Sequence, residues 1–205
     1  MRPLTKHYQF LLTLFSLLLL STGSYANPAR PQSPATTPTD PAYVIQTALN
    51  KITTFSSNSD KVNPVKLRGF IENKIIPHFD FDNMSHWITG RYASNMTDKD
   101  KAEVQQNLRE TFLSSLSKHL GSFDAENTRV RMYPARYRGQ DEAFVSTSVY
   151  RPETPPVRLD FRMHQDGDGW KIIDVKANGS SAVLYYRKHF ISQLRQYERQ
   201  YHRPY

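Results

Sequence analysis

Residues 157–176 read VRLDFRMHQDGDGWKIIDVK, and this stretch decides the fold of the chain. It opens with strict alternation between apolar and charged side chains, the pattern of a β-strand with one buried face. The sequence Asp166-Gly167-Asp168-Gly169 then supplies a turn. A second apolar run begins at Trp170 and reaches Lys176. The stretch therefore predicts a β-hairpin whose apolar row is Val157, Leu159, Phe161 and Met163.

Patterns before and after this hairpin predict an α+β domain. Residues 128–135 and 143–150 alternate loosely and predict two further strands. Apolar residues spaced three and four apart predict helices over 42–55, 64–79, 81–92, 97–121 and 182–199. Pro77 is expected to bend or end the second of these helices. Helices that precede and follow a run of antiparallel strands predict a helical layer packed on a twisted four-stranded antiparallel sheet. Such a sheet can wrap round a cavity instead of closing on itself.

The first 26 residues have the organisation of a secretory signal peptide. Arg2 and Lys6 precede an apolar run at 10–20, and Ser24-Tyr25-Ala26 supplies the small residues of a cleavage site. The apolar run is shorter than the roughly 20 residues that span a bilayer, which favours cleavage over an uncleaved anchor. No cysteine follows the site, so we expect no lipoprotein anchor.

Residues 27–41, NPARPQSPATTPTDP, are rich in proline, serine and threonine and show no apolar periodicity. This composition predicts a disordered tether, and we expect residues 42–205 to form a single domain. The formal net charge of +8 is compatible with two kinds of partner, nucleic acid and an anionic membrane surface. Secretion argues against nucleic acid. The basic residues are scattered among carboxylates, which is typical of a solvated surface.

The sequence offers little for catalysis or metal binding. There is no cysteine, and the histidines show none of the usual metal-ligand spacings. The Asp166–Asp168 glycine turn lacks the later glutamate of a calcium loop. An α+β cavity can still hold a buried carboxylate with a raised pKa, and Asp160 and Asp174 are the candidates for such a base. An isomerase-type or hydrolase-type enzyme is therefore the alternative to a binding protein.

Several strings in the chain resemble one family. In the C-terminal third they are PPVRLDF at 155–161, GWKIIDV at 169–175, and Gly179-Ser180-Ser181 followed by Tyr186-Arg187 and Phe190. Upstream they are Ile75-Ile76-Pro77-His78-Phe79 and Gly90-Arg91-Tyr92. Together they resemble the MlaC family of periplasmic phospholipid-binding proteins, also called toluene-tolerance auxiliary proteins. The resemblance covers about residues 64–195.

The resemblance implies a phospholipid carrier without catalytic activity or cofactor. The acyl chains would lie in an apolar pocket between helices and sheet, and the head group would be exposed. The implied partners are an outer-membrane lipoprotein–porin assembly and an inner-membrane ABC transporter with an MCE-domain subunit. Lipid would move from the outer to the inner membrane, which maintains outer-membrane lipid asymmetry. A hopanoid-associated role within the same family is left open.

We therefore expect a pocket lined from both layers. The sheet would contribute Val145, Val149, Val157, Leu159, Phe161, Met163, Ile173 and Val175. The helical side would contribute Ile76, Phe79, Trp87, Ile88, Tyr92, Val183 and Tyr186. Basic residues near the mouth, such as Arg91, Arg158 and Arg187, would meet phosphate or the partners.

Overall fold

The computed structural model describes residues 40–57, 63–121 and 123–201. The predicted signal peptide and residues 27–39 of the predicted tether lie outside them. Five α-helices are present in the described part: α1 (Pro41–Ser57), α2 (Pro64–Lys74), α3 (Phe81–Thr89), α4 (Asp98–Leu120) and α5 (Ala182–Tyr201). No helix among the described residues has the length and apolar character needed to cross a membrane.

Local chemistry sets the helix ends. Helix α1 begins at Pro41, one residue before the predicted start of the domain, and the Asp40 carboxylate accepts from the Ala42 N–H at 2.8 Å. Helix α4 opens with a capping box, in which the Thr97 hydroxyl and the Asp100 carboxylate satisfy each other's backbone N–H groups.

Two predicted helices are shorter than expected. Helix α2 was predicted to reach Phe79 but ends at Lys74, because Pro77 lacks an N–H and restricts the residue before it. A 3-10 helix, Ile76–His78, continues the chain. Helix α3 ends at Thr89 and not at Tyr92, because Gly90 takes a positive φ, and a second 3-10 helix covers Gly90–Asn95.

The four predicted strands are confirmed, and two short ones join them. The strands are β1 (Arg129–Met132), β2 (Arg136–Arg138), β3 (Glu142–Arg151), β4 (Thr154–Asp166), β5 (Gly169–Ala177) and β6 (Ser180–Ser181). Their order is β1-β3-β4-β5-β6, β2 also pairs with β3, and every pairing is antiparallel. The sheet thus has six strands where four were predicted, since β2 and β6 are too short to show a period.

Cross-strand register divides the sheet into an apolar and a polar face. Ala143, Val145, Thr147 and Val149 of β3 stand opposite Met163, Phe161, Leu159 and Val157 of β4. These residues form the apolar face. Phe144, Ser146 and Ser148 stand opposite Arg162, Asp160 and Arg158 on the polar face. The predicted alternation of β4 is therefore confirmed.

Two apolar clusters hold the layers together. The sheet cluster contains Ala42 and Ile45 of α1 packed with Ala143, Val145, Met163, Trp170 and Ile172 of the sheet. The helical cluster joins all five helices through buried residues such as Ala48, Ile71, Met84, Leu113 and Val183. Phe79 packs against both clusters, so the segment between α2 and α3 links the helical layer to the sheet.

Candidate functional site

The apolar face of the sheet extends beyond its tightly packed centre. Val145 and Met163 are fully buried in the sheet cluster, and Phe161 and Val175 pack against it. Farther along the same face, Val149, Val157 and Leu159 are half-buried and belong to neither cluster. We call these three residues the apolar strip. It offers hydrocarbon surface that the two clusters leave partly uncovered.

Thr147 lies beside this strip, and the sequence did not single it out. It pairs with Leu159 across the sheet and is 0% exposed. Its hydroxyl Oγ1 has no hydrogen-bond partner. A buried hydroxyl without a partner costs about 1–3 kcal/mol, so this atom lowers the stability of the fold.

A β-bulge changes the position expected for one predicted pocket residue, Ile173. Phe161 pairs with Val175 and Met163 pairs with Ile172, so β5 contains one residue more than β4 between these pairs. Ile172 consequently joins the apolar face and packs in the sheet cluster. Ile173, predicted to line the pocket, is buried at 6% exposure but lies outside that cluster. The bulge shifts the alternation that the prediction assumed to continue.

The helical residues predicted to line the pocket fall into different environments. Ile76, Ile88 and Val183 are buried in the helical cluster, and Tyr186 packs against it. Tyr92 meets the Phe190 ring edge-on, with centroids 6.3 Å apart. Trp87 lies at the surface: it is 44% exposed, and the Arg162 guanidinium lies 4.9 Å from its ring centroid. Since Arg162 projects from the polar face, Trp87 does not meet the apolar row of β4.

A groove of about 930 Å³ lies among α2, α3, α4 and the β4–β5 turn. Its volume is within the range of small-molecule sites. Ile76 and Phe79 line it, as does Phe81, which the prediction missed. The Phe79, Phe81 and Phe112 rings contact one another, with the Phe79 and Phe112 centroids 4.6 Å apart. The rim is polar and includes Glu72, Asp80, Asp82, Arg109, Asp166 and Lys171.

The two candidate catalytic carboxylates are both engaged in structural contacts. Asp174 is 7% exposed, and its two oxygens accept from the Ser181 hydroxyl at 2.7 Å and the Val183 N–H at 3.1 Å. It therefore satisfies backbone and side-chain donors at the start of α5. Asp160 accepts from the Ser146 hydroxyl at 2.6 Å and from Arg158 Nε at 3.0 Å. Neither arrangement leaves a carboxylate directed into the apolar face.

The basic residues expected at a pocket mouth also have protein partners. Arg158 bonds Asp160 and Ser146, and Arg187 donates to the carbonyl of Trp87 at 3.1 Å. Arg91 donates to the hydroxyl of Tyr92 at 3.3 Å. Nothing in the described part of the chain groups three or more potential metal-ligating side chains.

Comparisons with known proteins agree on the type of fold. The family model described as MlaC protein matches residues 44–201. A solved structure, the phospholipid-binding protein from Ralstonia solanacearum in complex with a phospholipid, superposes with a TM-score of 0.67. It is 23% identical to this chain, and the superposition covers 75% of this chain and 86% of that one. No curated protein sequence matches the chain.

Proposed function

The chain belongs to the MlaC family, and on this premise we propose that it is a periplasmic phospholipid carrier. The match of the family model over 44–201 is the observation that carries the proposal, because it spans nearly the whole described domain. The likeness in fold to a protein solved with a phospholipid supports it. The resemblance seen in the sequence is thereby confirmed at the level of the family.

The apolar strip is the proposed seat of the acyl chains. A chain of about 16 carbons exposes hydrocarbon worth roughly 12 kcal/mol in water, at about 0.8 kcal/mol per methylene group. Val149, Val157 and Leu159 offer half-buried hydrocarbon next to a packed core, so a chain lying on them extends that core.

Loading and unloading then exchange one apolar environment for another. The free energy of the acyl chains is similar in a bilayer and in a sheathing pocket, so the carrier itself needs no nucleotide hydrolysis. The direction of transport must come from its partners. We propose these to be an outer-membrane lipoprotein–porin assembly and an inner-membrane ABC transporter with an MCE-domain subunit. Lipid would pass from the outer to the inner membrane and so maintain outer-membrane lipid asymmetry.

A carrier without catalysis fits the contacts of Asp174 and Asp160 better than an enzyme does. A general base must be free to reach a substrate proton. Both oxygens of Asp174 accept bonds at the start of α5, and Asp160 is held by Ser146 and Arg158.

Organic extraction and native mass spectrometry of protein purified without added lipid test the proposal. We expect a stoichiometric glycerophospholipid that survives purification and appears as a mass increment on the folded protein. Folded protein that repeatedly yields no lipid, and takes none up from donor vesicles, would overturn the carrier proposal.

A further inference from the structure

We propose that the polar face of the sheet docks on the anionic head groups of a phospholipid bilayer. The surface consists of Arg129 and Arg131 of β1, Arg136 and Arg138 of β2, Arg158 and Arg162 of β4, and Lys176 of β5. We call it the basic sheet face. It is separate from the apolar strip, which lies on the opposite side of the same strands.

Strand register gathers these cations on one side. Arg129 and Arg131 pair with Tyr150 and Ser148 of β3, and Arg136 pairs with Phe144. Arg158 and Arg162 pair with the same Ser148 and Phe144 from the other flank. Cations from β1, β2 and β4 therefore stand on both sides of one polar row of β3. In the linear sequence four of these arginines lie within residues 129–138, and Arg158, Arg162 and Lys176 follow on later strands.

Carboxylates balance only part of this charge. Glu142 pairs with Arg162 at 2.7 Å and lies 3.9 Å from Arg138, and Asp160 pairs with Arg158. The third carboxylate, Asp174 of β5, pairs with Arg162 in the strand register, but it is buried and accepts from the Val183 N–H in the first turn of α5. Among the described residues, Arg129, Arg131, Arg136 and Lys176 have no carboxylate within ion-pair distance. Asp141, Glu153, Asp166 and Asp168 lie at the strand ends and turns instead.

A recess in this face has the size and charge for a head-group phosphate. Its volume is about 360 Å³, and Arg136, Arg138, Arg162 and Lys176 line it together with Phe144 and Asp160. Arginine forks match phosphate oxygens bidentately and are more weakly hydrated than ammonium groups. Tyr150, 37% exposed, stands beside Arg129 and belongs to a residue type enriched at bilayer interfaces.

The distribution of charge favours a bilayer over an acidic protein. Protein interfaces have a core depleted of charged residues and a polar rim. Here Arg158, Asp160 and Arg162 lie in the middle of the face. The serines between them are buried: Ser146 bonds Asp160 and Arg158, and the Ser148 hydroxyl lies 3.3 Å from that of Tyr133. Many cations spread over one face of a sheet suit the diffuse negative potential of a membrane surface.

Sedimentation with sucrose-loaded vesicles tests the proposal. We expect purified protein to pellet with vesicles of phosphatidylglycerol and phosphatidylcholine, to stay in the supernatant with phosphatidylcholine alone, and to be released by salt. A protein that only extracted a lipid molecule from the vesicles would stay in the supernatant as a soluble complex. Pelleting therefore measures docking on the vesicle surface. The variant R129Q/R131Q/R136Q/R138Q should bind at least about a hundredfold more weakly, since each surface cation contributes about fivefold.

A matched variant controls for net charge. K66Q/K74Q/K99Q/K118Q removes the same number of charges from exposed positions of α2 and α4. It should bind within a few-fold of the unaltered protein, and lipid content after purification should be unchanged in both variants. Equal losses in the two variants, or equal binding to charged and uncharged vesicles, would overturn the proposal. Failure of the protein to bind any vesicle would overturn it too, in favour of an acidic protein partner.

Discussion

The guanidinium of Arg187 fills the space that a β-carbon on residue 90 would occupy, with Nη2 2.9 Å from that position. Gly90 has φ +53° and ψ −128°, a backbone conformation that residues with a side chain rarely adopt. From this position Arg187 donates to the carbonyl of Trp87 in the last turn of α3. A cation at a helix C-terminus also interacts favourably with the helix dipole. Arg187 thus closes α3 and ties it to α5.

Gly90→Ala should lower the free energy of unfolding by roughly 1–3 kcal/mol, because it adds backbone strain and displaces Arg187. Urea denaturation measures the change. Gly167→Ala is the control, since Gly167 has open space around its Cα and no positive φ. It should alter stability by no more than about 0.5 kcal/mol. Equal effects of the two substitutions would contradict the assigned role of Gly90.

Asp174→Asn should destabilise the fold while leaving lipid transfer intact. An amide keeps one acceptor where the carboxylate has two, so either the Ser181 hydroxyl or the Val183 N–H loses its partner. The expected cost is roughly 1–3 kcal/mol, measured by chemical denaturation.

The same substitution separates the carrier from the enzyme. Removal of an essential base would reduce turnover by orders of magnitude, whereas a carrier loses only stability. Transfer of labelled phospholipid between vesicles, assayed well below the melting temperature, gives the readout. A folded Asp174→Asn protein that binds lipid but fails to transfer it would contradict the structural role assigned to this carboxylate.

The period of the apolar residues predicted most of the fold. The strict alternation of 157–163 placed β4 and its two faces correctly, and Thr97 marked the start of α4. The sequence could not show the bulge that places Ile172, and not Ile173, on the apolar face of the sheet. Either register satisfies the apolar pattern of β5. Pro77 was read as a bend or an end of the helix, and α2 in fact ends at Lys74, ahead of it.

The site was less predictable than the fold. Apolar residues that fill a core and those that line a cavity are chemically the same, so Ile88 and Val157 were indistinguishable in the sequence. Burial separates them in the structure, where Ile88 belongs to the helical cluster and Val157 to the half-buried strip. The partners of Arg158 and Arg187 lie on other elements of the fold. Register likewise gathers Arg131 and Arg136 onto one face with Arg158 and Arg162, which are distant from them in the linear sequence.

Stability should fall as pH drops below about 6.5. Burial, together with Lys51 and Lys171, lowers the pKa of His78. Burial, with Lys118 and Arg151, lowers the pKa of His119. Between each depressed folded pKa and the unfolded value of about 6.5, the unfolded chain binds more protons, so the free energy of unfolding rises with pH. Above about pH 7.5 both residues are neutral in either state and this dependence ends.

Urea denaturation at several pH values from 7.5 to 5 measures this slope. His78→Gln should flatten part of it, since glutamine does not titrate, and the double variant with His119→Gln should flatten it further. His164→Gln is the control, because His164 lies on the exposed hairpin beside Asp141. A slope unchanged by the double variant would exclude these histidines as its source.

Thr147→Val should stabilise the lipid-free protein. Valine has nearly the same shape as threonine and removes a buried hydroxyl that lacks a partner, so a gain of about 1 kcal/mol is expected. Ser146→Ala on the polar face should act in the opposite direction, because the Ser146 hydroxyl bonds both Asp160 and Arg158. Thermal melts of delipidated protein compare the two. A loss of stability in Thr147→Val would mean that the hydroxyl is satisfied in solution.

Leu159→Trp tests the apolar strip as the seat of the acyl chains. Leu159 is half-buried between Thr147 of β3 and Ala177 of β5, so an indole ring there fills volume along the apolar face. Overpacking is expected to lower the free energy of unfolding by about 1–3 kcal/mol. Far-UV circular dichroism and a cooperative melt check that the variant still folds. The folded variant should carry markedly less phospholipid after purification. Tyr150→Trp introduces the same ring on the opposite face, where it should leave the lipid content unchanged. Normal loading of the folded Leu159→Trp protein would place the acyl chains away from the strip, with the groove lined by Ile76 and Phe79 as the next position to block.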